Sequence, residues 1–330
     1  MSPALVALSL IAFAVTGAVL LACGFALRIL RRWDLASGSE LQVRLERQTY
    51  LISTLLGFAL GAEALSLLLF VHTAESLSGQ FVGAMCATGA LNVNAFGFPA
   101  LLLKIVVFFL AALWLLLNRV DNRAYDYPLV RLKYALLLAL APLTAAEATV
   151  QTLFFLGLKP DVITSCCGSL FSADSQGAAA ELAGLPPKPT LVAFYGTGAG
   201  LLILGLAFRR RLQLGPLFAA GNALAFGVAI AAIIAVISLY VYENPNHHCP
   251  FCLLKAGYGY PGYALYPPLF VATAAGLGAG VIAPLRGIKS LQAVIPGEIR
   301  RLTQLWLYGF GGFYLLATWL MLRSNLVLLG

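Results

Sequence analysis

The sequence predicts an all-α polytopic membrane protein: an eight-helix transmembrane bundle with both termini on the extracytoplasmic side. The amino-acid composition predicts that the protein lies in a membrane. Hydrophobic residues make up 61% of the 330 residues and charged residues only 10%, whereas a soluble domain carries about 25% charged residues. So few charges cannot cover a water-facing surface. The hydrophobicity also excludes intrinsic disorder, which requires a polar composition.

Eight apolar runs are long enough to cross the hydrocarbon layer, which takes about 20 residues of helix. We place these spans at 3–28, 49–72, 100–118, 134–158, 190–208, 216–242, 264–285 and 303–325. The first run lacks the basic start of a signal peptide, because MSPALVALSL carries no charged side chain. We therefore expect it to remain as a span. The short connections predict a single transmembrane domain over residues 1–330.

The basic residues set the expected orientation, because Lys and Arg accumulate in cytoplasmic loops. Most of the 21 Lys and Arg residues lie in every second break between spans, at Arg28, Arg31, Arg32, Arg44, Arg47, Arg119, Arg123, Arg131, Lys133, Arg209, Arg210, Arg211, Arg286, Lys289, Arg300 and Arg301. This alternation predicts a bacterial plasma-membrane protein with extracytoplasmic cysteine loops. Topology and attraction to anionic lipid explain the net charge of +8, so we expect no nucleic-acid partner.

Spans 2–3, 4–5 and 6–7 form three hairpins, each with an outer loop that contains cysteine. A short match links two of them. Gly61-Ala62-Glu63-Ala64 in span 2 resembles Ala145-Ala146-Glu147-Ala148 in span 4. Together with the spacing of the cysteines, this match predicts a partial parallel repeat of about 82 residues.

Most of the sulfur and imidazole groups fall on the outer side. The outer loops and their flanks contain Cys86, Cys166, Cys167, Cys249, Cys252, His72, His247 and His248. We expect the hairpins to bring these loops together in one thiol-rich site. A disulfide between the adjacent residues Cys166 and Cys167 would be strained, because neighbouring Cα atoms are only about 3.8 Å apart. These two cysteines should therefore bond to other loops or bind a ligand.

Cys249-Pro250-Phe251-Cys252 is a CxxC motif with an internal proline. Thiol–disulfide enzymes use this spacing because one turn holds the second sulfur ready to resolve a mixed disulfide. His247 and His248 are candidates to stabilise a thiolate there. Residues 247–255 resemble the disulfide-forming membrane oxidoreductases and the vitamin K epoxide reductases, although the chain has more spans than those families and an additional vicinal cysteine pair.

That resemblance implies a membrane thiol–disulfide oxidoreductase that passes electrons to a quinone. Cys249 and Cys252 would be the quinone-proximal catalytic pair. Cys166, Cys167 or Cys86 would be the shuttle, and an extracytoplasmic thioredoxin-like protein the partner.

Three other interpretations stay open. Thiolate and imidazole suit Zn²⁺, Cu⁺ or Hg²⁺, and the vicinal pair resembles that of mercuric-ion transporters; the candidate ligands are Cys86, Cys166, Cys167, Cys249, Cys252, His247 and His72. The order Cys86…Cys166-Cys167-Gly168…Cys249-x-x-Cys252 is similar to the CCG module of heterodisulfide reductases, which implies an iron–sulfur cluster. Alternatively, disulfides staple the outer loops of a structural subunit of a larger membrane complex.

Two glutamates, Glu63 and Glu147, lie near the middle of spans 2 and 4. A charged side chain there costs roughly 2.5–3.5 kcal/mol on insertion scales, so it is functional by default. We expect a proton route for a quinone or thiol reaction, or otherwise a hydrogen-bonded pair that joins helices. Lys104 could reach Glu63, but we favour extension of its side chain to the outer surface.

Tyrosines crowd the third outer loop and its flanks, at Tyr240, Tyr242, Tyr258, Tyr260, Tyr263 and Tyr266. The aromatic belt of the bilayer boundary explains them. Alternatively, Tyr258 and Tyr260 form the walls of a quinone pocket. His72 and Glu75 are spaced i, i+3 on one helical face, where they could bind a metal, protonate a sulfur or form a simple pair.

Overall fold

The computed structural model describes residues 2–34, 37–159, 164 and 178–328. Among these residues all regular elements are helical. Eight helices are long and apolar enough to cross a membrane, at Pro3–Arg32, Glu40–Gln80, Gly97–Asp121, Val130–Leu156, Pro187–Arg210, Leu212–Tyr242, Pro261–Gly287 and Ile295–Arg323. This confirms the predicted number of spans. The orientation of the termini and the hairpin repeat stay predictions.

The helices are α1 (Pro3–Arg32), α2 (Glu40–Leu77), α3 (Ala87–Leu91), α4 (Gly97–Asp121), α5 (Val130–Leu156), α6 (Ala178–Ala183), α7 (Pro187–Arg210), α8 (Gly215–Ala232), α9 (Ser238–Tyr242), α10 (Pro261–Ile282) and α11 (Ile295–Arg323). A π-helical segment, Ile233–Ile237, joins α8 to α9. Helix α2 begins well before the predicted start of its span at residue 49. Its first turns are charged but rich in good helix formers, so the helix extends beyond the apolar run.

Large apolar side chains face outward from the spans. Leu21, Phe58 and Leu315 are 82%, 77% and 74% exposed. In water, an apolar surface of this kind would be unfavourable, whereas lipid tails match it. These surfaces support integral insertion and contact with the lipid bilayer.

The chain divides into two compact units. Unit 1 comprises Met1–Thr73, Val93–Lys159 and Leu285–Pro296, and unit 2 comprises Ala74–Asn92, Pro160–Pro284 and Gly297–Gly330. Unit 1 therefore contains the first four spans, apart from the end of α2. Unit 2 contains nearly all of the last four spans and the loop that follows α2. The single domain over residues 1–330 stays a prediction.

In unit 1, α5 packs against α1 and α4. The core of this packing contains Trp114 and Tyr134, both fully buried. The ring of Phe25 meets Tyr134 edge-on with centroids 5.5 Å apart. Trp114 Nε1 donates a hydrogen bond to the Lys133 carbonyl oxygen at 3.0 Å. The indole therefore satisfies its only donor inside an apolar core.

A buried ion pair joins the ends of α4 and α5. Lys133 Nζ lies 2.8 Å from Asp121 Oδ2, with both side chains at most 1% exposed. Lys133 Nζ also donates to Asn118 Oδ1 at 3.0 Å, and Asp121 Oδ1 accepts the Leu129 N–H at 2.7 Å. One cation and one anion thus compensate each other, and both take further hydrogen bonds, as buried charges require.

In unit 2, α8 packs against α7 and α10. Two glycines of α10 bring the helices close together. A Cβ atom at Gly276 would collide with the Asn222 side chain, and one at Gly280 would collide with the backbone of Gly215. Glycine is therefore required at both positions, because any side chain would push the two helices apart.

We expect Asp121→Asn to destabilise the protein by about 3–5 kcal/mol, because it leaves the buried Lys133 ammonium without a compensating charge. The measurement is the thermal unfolding temperature in detergent. The double variant Asp121→Asn/Lys133→Met keeps the acceptor for Leu129 and removes the orphaned charge, so it should recover most of the loss. Equal losses in the single and double variants would contradict this account.

Candidate functional site

Three cysteines of unit 2 meet in one buried group. The Sγ atoms of Cys86 and Cys249 lie 3.3 Å apart. These two atoms and Cys252 Sγ all lie within 4.8 Å of one another. No disulfide joins the three to each other; the Cys86–Cys249 distance exceeds the S–S bond length of about 2.05 Å. We call Cys86, Cys249 and Cys252 the cysteine cluster.

Helix α3 positions Cys86. The Cys86 carbonyl oxygen accepts the N–H groups of Gly89 and Ala90 at 3.0 and 3.4 Å, so the cysteine stands at the start of this short helix. All five residues of α3 are buried. Thr88, one residue into the helix from Ala87, places Oγ1 3.0 Å from Cys249 Sγ. A threonine hydroxyl at this distance can donate a hydrogen bond to a Cys249 thiolate.

Two tyrosine hydroxyls hold the CxxC segment. Tyr242, at the end of α9, donates to the Cys249 carbonyl oxygen at 2.6 Å. Tyr266, on α10, donates to the Pro250 carbonyl oxygen at 2.6 Å. Cys252 then begins a 3₁₀ turn, in which its carbonyl oxygen accepts the Lys255 N–H at 3.0 Å. Hydrogen bonds from two helices therefore fix the backbone that carries both cysteines.

An ion pair links the two cysteine-bearing segments of unit 2. Lys255 Nζ lies 2.6 Å from Glu75 Oε1, and Glu75 Oε2 accepts the Ala87 N–H at 2.8 Å. One carboxylate thus binds the residue after Cys86 and a residue shortly after Cys252. Glu75, which was grouped with His72 from the sequence, thus also pairs with Lys255; the grouping with His72 stays a prediction.

The cation of this pair remains charged at neutral pH. Burial lowers the pKa of Lys255, but the hydrogen bond and charge of Glu75, with smaller contributions from Cys86 and Cys252, raise it above its ordinary value. A raised folded-state pKa means that the pair stabilises the fold below the unfolded pKa of about 10.4. This contribution is lost only as the pH rises through the folded pKa.

The histidines before Cys249 contact other groups. His248 Nδ1 lies 3.1 Å from the carbonyl oxygen of Ile234, in the π-helical segment. Burial lowers the pKa of His248; the hydrogen bond to Ile234 opposes this effect and His247 adds to it. His247 packs on the Tyr242 ring with centroids 4.2 Å apart. The hydroxyl placed 3.0 Å from Cys249 Sγ comes from Thr88, which was not among the predicted site residues.

The other predicted site residues are only partly accounted for. Cys166 and Cys167 lie outside the described residues. Thr164 is described, and it donates its N–H to the Val82 carbonyl oxygen at 3.0 Å and its Oγ1 hydroxyl to the Gly89 carbonyl oxygen at 2.9 Å. The convergence of the cysteine loops is therefore observed for the first and third loops.

The metal-ligand roles of His247 and His72 stay predictions. In the part of the chain that the structure describes, the donor atoms within 4.8 Å of one another belong to the three cysteines. His247 is not in that group, and His72 is an exposed residue of unit 1. Tyr258 and Tyr260 are 39% and 52% exposed, so they lie at the surface of unit 2. Their role in a quinone pocket stays a prediction.

A second group of functional candidates lies in unit 1. Lys104 Nζ lies 3.0 Å from Glu63 Oε1 and 2.9 Å from Glu147 Oε1. All three side chains are at most 2% exposed. We call them the glutamate–lysine triad. The structure thus brings together the two glutamates that the sequence predicted to share an interior position.

The expectation that Lys104 extends to the outer surface is wrong. Two carboxylates and the hydroxyl of Ser66, whose Oγ lies 2.8 Å from Lys104 Nζ, surround the ammonium. Its side chain also passes the Phe70 ring, with Nζ 5.9 Å from the centroid. Compensating charges inside the unit replace the water that the ammonium would otherwise need to reach.

Thr88, Tyr242 and Tyr266 contact the cysteine-bearing segment but were not among the predicted site residues. Thr88 stands two positions after Cys86, and this proximity alone could have drawn attention to it. Tyr242 and Tyr266 were counted only as part of an aromatic belt. Their roles depend on the hydroxyl groups and on loop carbonyls distant in sequence, which no local pattern indicates.

Chemically, the cysteine cluster can do two things. Three thiols in contact can hold one disulfide and one thiol and exchange them. Alternatively, three thiolates can bind a soft metal ion. A scan against models of known protein families, a search of curated proteins and a search of solved structures gave no match, so the choice between the two depends on the geometry.

We expect Glu75→Gln to make the cysteine cluster more accessible to solvent, because it removes the charge that binds Lys255 and weakens the hydrogen bond to Ala87. The cluster thiols should then react severalfold faster with a maleimide in detergent, as measured by mass spectrometry of labelled peptides. Glu243→Gln is the matched control. Glu243 holds Asn325 at an exposed site of the same unit, so its loss should leave the labelling rates unchanged. Identical labelling rates in wild type and Glu75→Gln would show that the Glu75–Lys255 pair does not restrict access to the cysteine cluster.

Proposed function

We propose that unit 2 is a membrane thiol–disulfide oxidoreductase and that the cysteine cluster is its reactive group. The supporting observation is the 3.3 Å separation of Cys86 Sγ and Cys249 Sγ, with Cys252 Sγ in the same group. A disulfide between Cys86 and Cys249 requires only a small movement of the sulfurs. Cys249 is then central, because it can pair with Cys86 or with Cys252.

The burial of the three sulfurs suggests an order of events. Cys86 and Cys249 are 0% exposed and Cys252 is 5% exposed. An external dithiol, for example in a thioredoxin-like protein, would therefore react first at Cys252. Its thiolate attacks Cys252 Sγ in a Cys249–Cys252 disulfide, forms a mixed disulfide and releases Cys249 as a thiolate. The second thiol of the partner then attacks the partner's own sulfur in that mixed disulfide, releases Cys252 and leaves with a disulfide.

The cluster must next be reoxidised. A bilayer quinone accepts two electrons and two protons from the Cys86 and Cys249 thiols and leaves as quinol, with a disulfide between them. Cys252 thiolate then attacks Cys249 Sγ, restores the Cys249–Cys252 disulfide and releases Cys86 thiolate. This last exchange forms one S–S bond and breaks another, so it needs no oxidant.

Two neighbouring side chains can stabilise the thiolates that form in this cycle. The Thr88 hydroxyl, 3.0 Å from Cys249 Sγ, can donate a hydrogen bond to Cys249 when it leaves. The charge of Lys255 interacts favourably with Cys86 and Cys252 thiolates. Both effects favour the charged sulfur, which is the reactive form. On the family resemblance, Cys166 and Cys167 would be a shuttle that takes the place of the external dithiol in the attack on Cys252.

Cys249→Ser should reduce quinone-dependent oxidation of a dithiol in proteoliposomes by on the order of 100-fold or more, because the sulfur that takes part in both disulfides of the proposed cycle is lost. Cys23→Ser is the control, since Cys23 lies in α1 of unit 1. In a Cys166→Ser/Cys167→Ser background, Cys86→Ser should accumulate a Cys249–Cys252 disulfide and Cys252→Ser a Cys86–Cys249 disulfide, identified in unreduced peptides by mass spectrometry. Full activity of Cys249→Ser would disprove the proposal.

Soft-metal binding is the second candidate, and the mutual proximity of three buried sulfurs favours it. Three thiolates around an ion with bonds of about 2.3 Å lie about 4 Å apart, which agrees with the size of the cysteine cluster. An iron–sulfur cluster generally takes four cysteine ligands. The described cysteine cluster supplies three, which suit one Zn²⁺, Cu⁺ or Hg²⁺ ion; an iron–sulfur cluster would need a fourth ligand from another part of the chain.

Metal analysis separates the two candidates. If the second is correct, purified protein should bind about one added Cd²⁺ per chain, with thiolate-to-metal absorption in the ultraviolet. Each of Cys86→Ser, Cys249→Ser and Cys252→Ser should weaken this binding, and Cys23→Ser should not. The oxidoreductase proposal instead predicts thiols whose number changes with the redox state of added quinone. Stable disulfides without metal or exchange would contradict both and favour structural staples.

A further inference from the structure

We propose that the glutamate–lysine triad of unit 1 (Glu63, Lys104 and Glu147) is a binding site for one exchangeable proton. This inference concerns unit 1 alone and does not depend on the chemistry of the cysteine cluster.

The charges of the triad do not cancel unless a proton is bound. One ammonium lies between two carboxyl groups, with Nζ–Oε1 distances of 3.0 and 2.9 Å. All three side chains are at most 2% exposed, so water cannot screen them. With both carboxylates ionised the triad carries one excess negative charge, which is costly in a low-dielectric interior. Binding one proton on either carboxyl makes the triad neutral.

One carboxyl oxygen of Glu63 is free to carry a proton. Glu63 Oε1 contacts Lys104 Nζ and accepts from Ser66 Oγ at 3.1 Å, whereas Glu63 Oε2 is buried and has no hydrogen-bond partner among the residues that the structure describes. An ionised carboxylate at this depth would be expected to satisfy both oxygens. A buried, unpartnered oxygen on a carboxyl that shares one cation with another is a suitable place for the proton.

The Asp121–Lys133 pair of the same unit provides a contrast. There a single carboxylate faces a single ammonium at 2.8 Å, and the charges cancel without a bound proton. The triad differs by one additional carboxyl group. Unit 1 thus contains a balanced pair and an unbalanced triad in similarly buried surroundings.

Other ionisable groups of the surrounding helices lie far along the chain from the triad. They are Cys23, Arg28, Arg31 and Arg32 in α1, Glu40, Arg44, Glu46, Arg47, Tyr50, His72 and Glu75 in α2, Arg119 and Asp121 in α4, and Arg131, Lys133 and Tyr134 in α5. At 1.5 Å per residue, His72 is about 13 Å from Glu63 along α2. Gln151, one turn after Glu147, donates to the Leu8 carbonyl oxygen at 3.2 Å. The part of α1 that meets this region therefore carries no charge.

Infrared spectroscopy of the full-length protein in lipid tests the proposal. The carbonyl stretch of a protonated carboxyl group shifts on deuteration, so a proton-binding triad should give a pH-dependent band that shows this shift. Glu63→Gln and Glu147→Gln should each abolish it, because one carboxylate paired with Lys104 needs no proton. Lys104→Met should about double it, because both carboxyl groups then need protons.

Glu298→Gln is the control, because Glu298 is another glutamate at only 1% exposure and belongs to unit 2. Its loss should leave the triad band intact. Either glutamine variant suffices if the other does not fold, since the prediction is the same for both. A band that persists in a folded glutamine variant, or no protonated carboxyl at any pH, would overturn the proposal. Loss of the band on adding Na⁺ at constant pH would show that a metal cation, not a proton, occupies the triad.

Discussion

The interior of this protein is organised by the need to compensate polar groups without water. A chain with only 10% charged residues that spans a bilayer has no solvent at the depth of its helix centres, so each buried charge needs a partner inside the protein. Unit 1 meets this requirement with a balanced pair, Asp121 and Lys133, and with the glutamate–lysine triad. In both, the lysine lies between side chains from other parts of the chain instead of extending to the surface.

The same constraint acts in unit 2 through hydrogen bonds between side chains and backbone groups. The CxxC carbonyl oxygens accept from Tyr242 and Tyr266, and the Ala87 N–H binds the Glu75 carboxylate. The π-helical segment presents the Ile234 carbonyl oxygen both to Ser238, at 3.1 Å, and to His248. Such segments frequently occur at functional sites. Together these contacts keep three sulfurs close and nearly excluded from solvent.

The two sites are suited to different chemistry. Sulfurs in contact can exchange a disulfide or share a soft ion, and the nearby Thr88 hydroxyl and Lys255 ammonium favour the thiolate in either case. Carboxyl groups that share one ammonium are suited to holding a proton. Oxidation of two thiols by a quinone transfers two protons as well as two electrons. A protein that performs this reaction therefore has use for proton-binding groups.

The number of spans could be predicted from the sequence, because each span is a continuous local run of apolar residues whose length must match the bilayer. The sequence also identified the sulfur-rich loops and the mid-span glutamates, since unusual residues in an apolar chain are visible without a fold. The folded structure was needed to show that Lys104 joins Glu63 to Glu147, that the Thr88 hydroxyl meets Cys249, and that Glu75 binds Lys255. Lys104 and Glu63 lie 41 positions apart in the chain, and Thr88 and Cys249 lie 161 positions apart. Such contacts depend on how each helix is rotated and where each loop crosses. Local periodicity carries no information about either, because it specifies which side of a helix is apolar but not which neighbour that side meets.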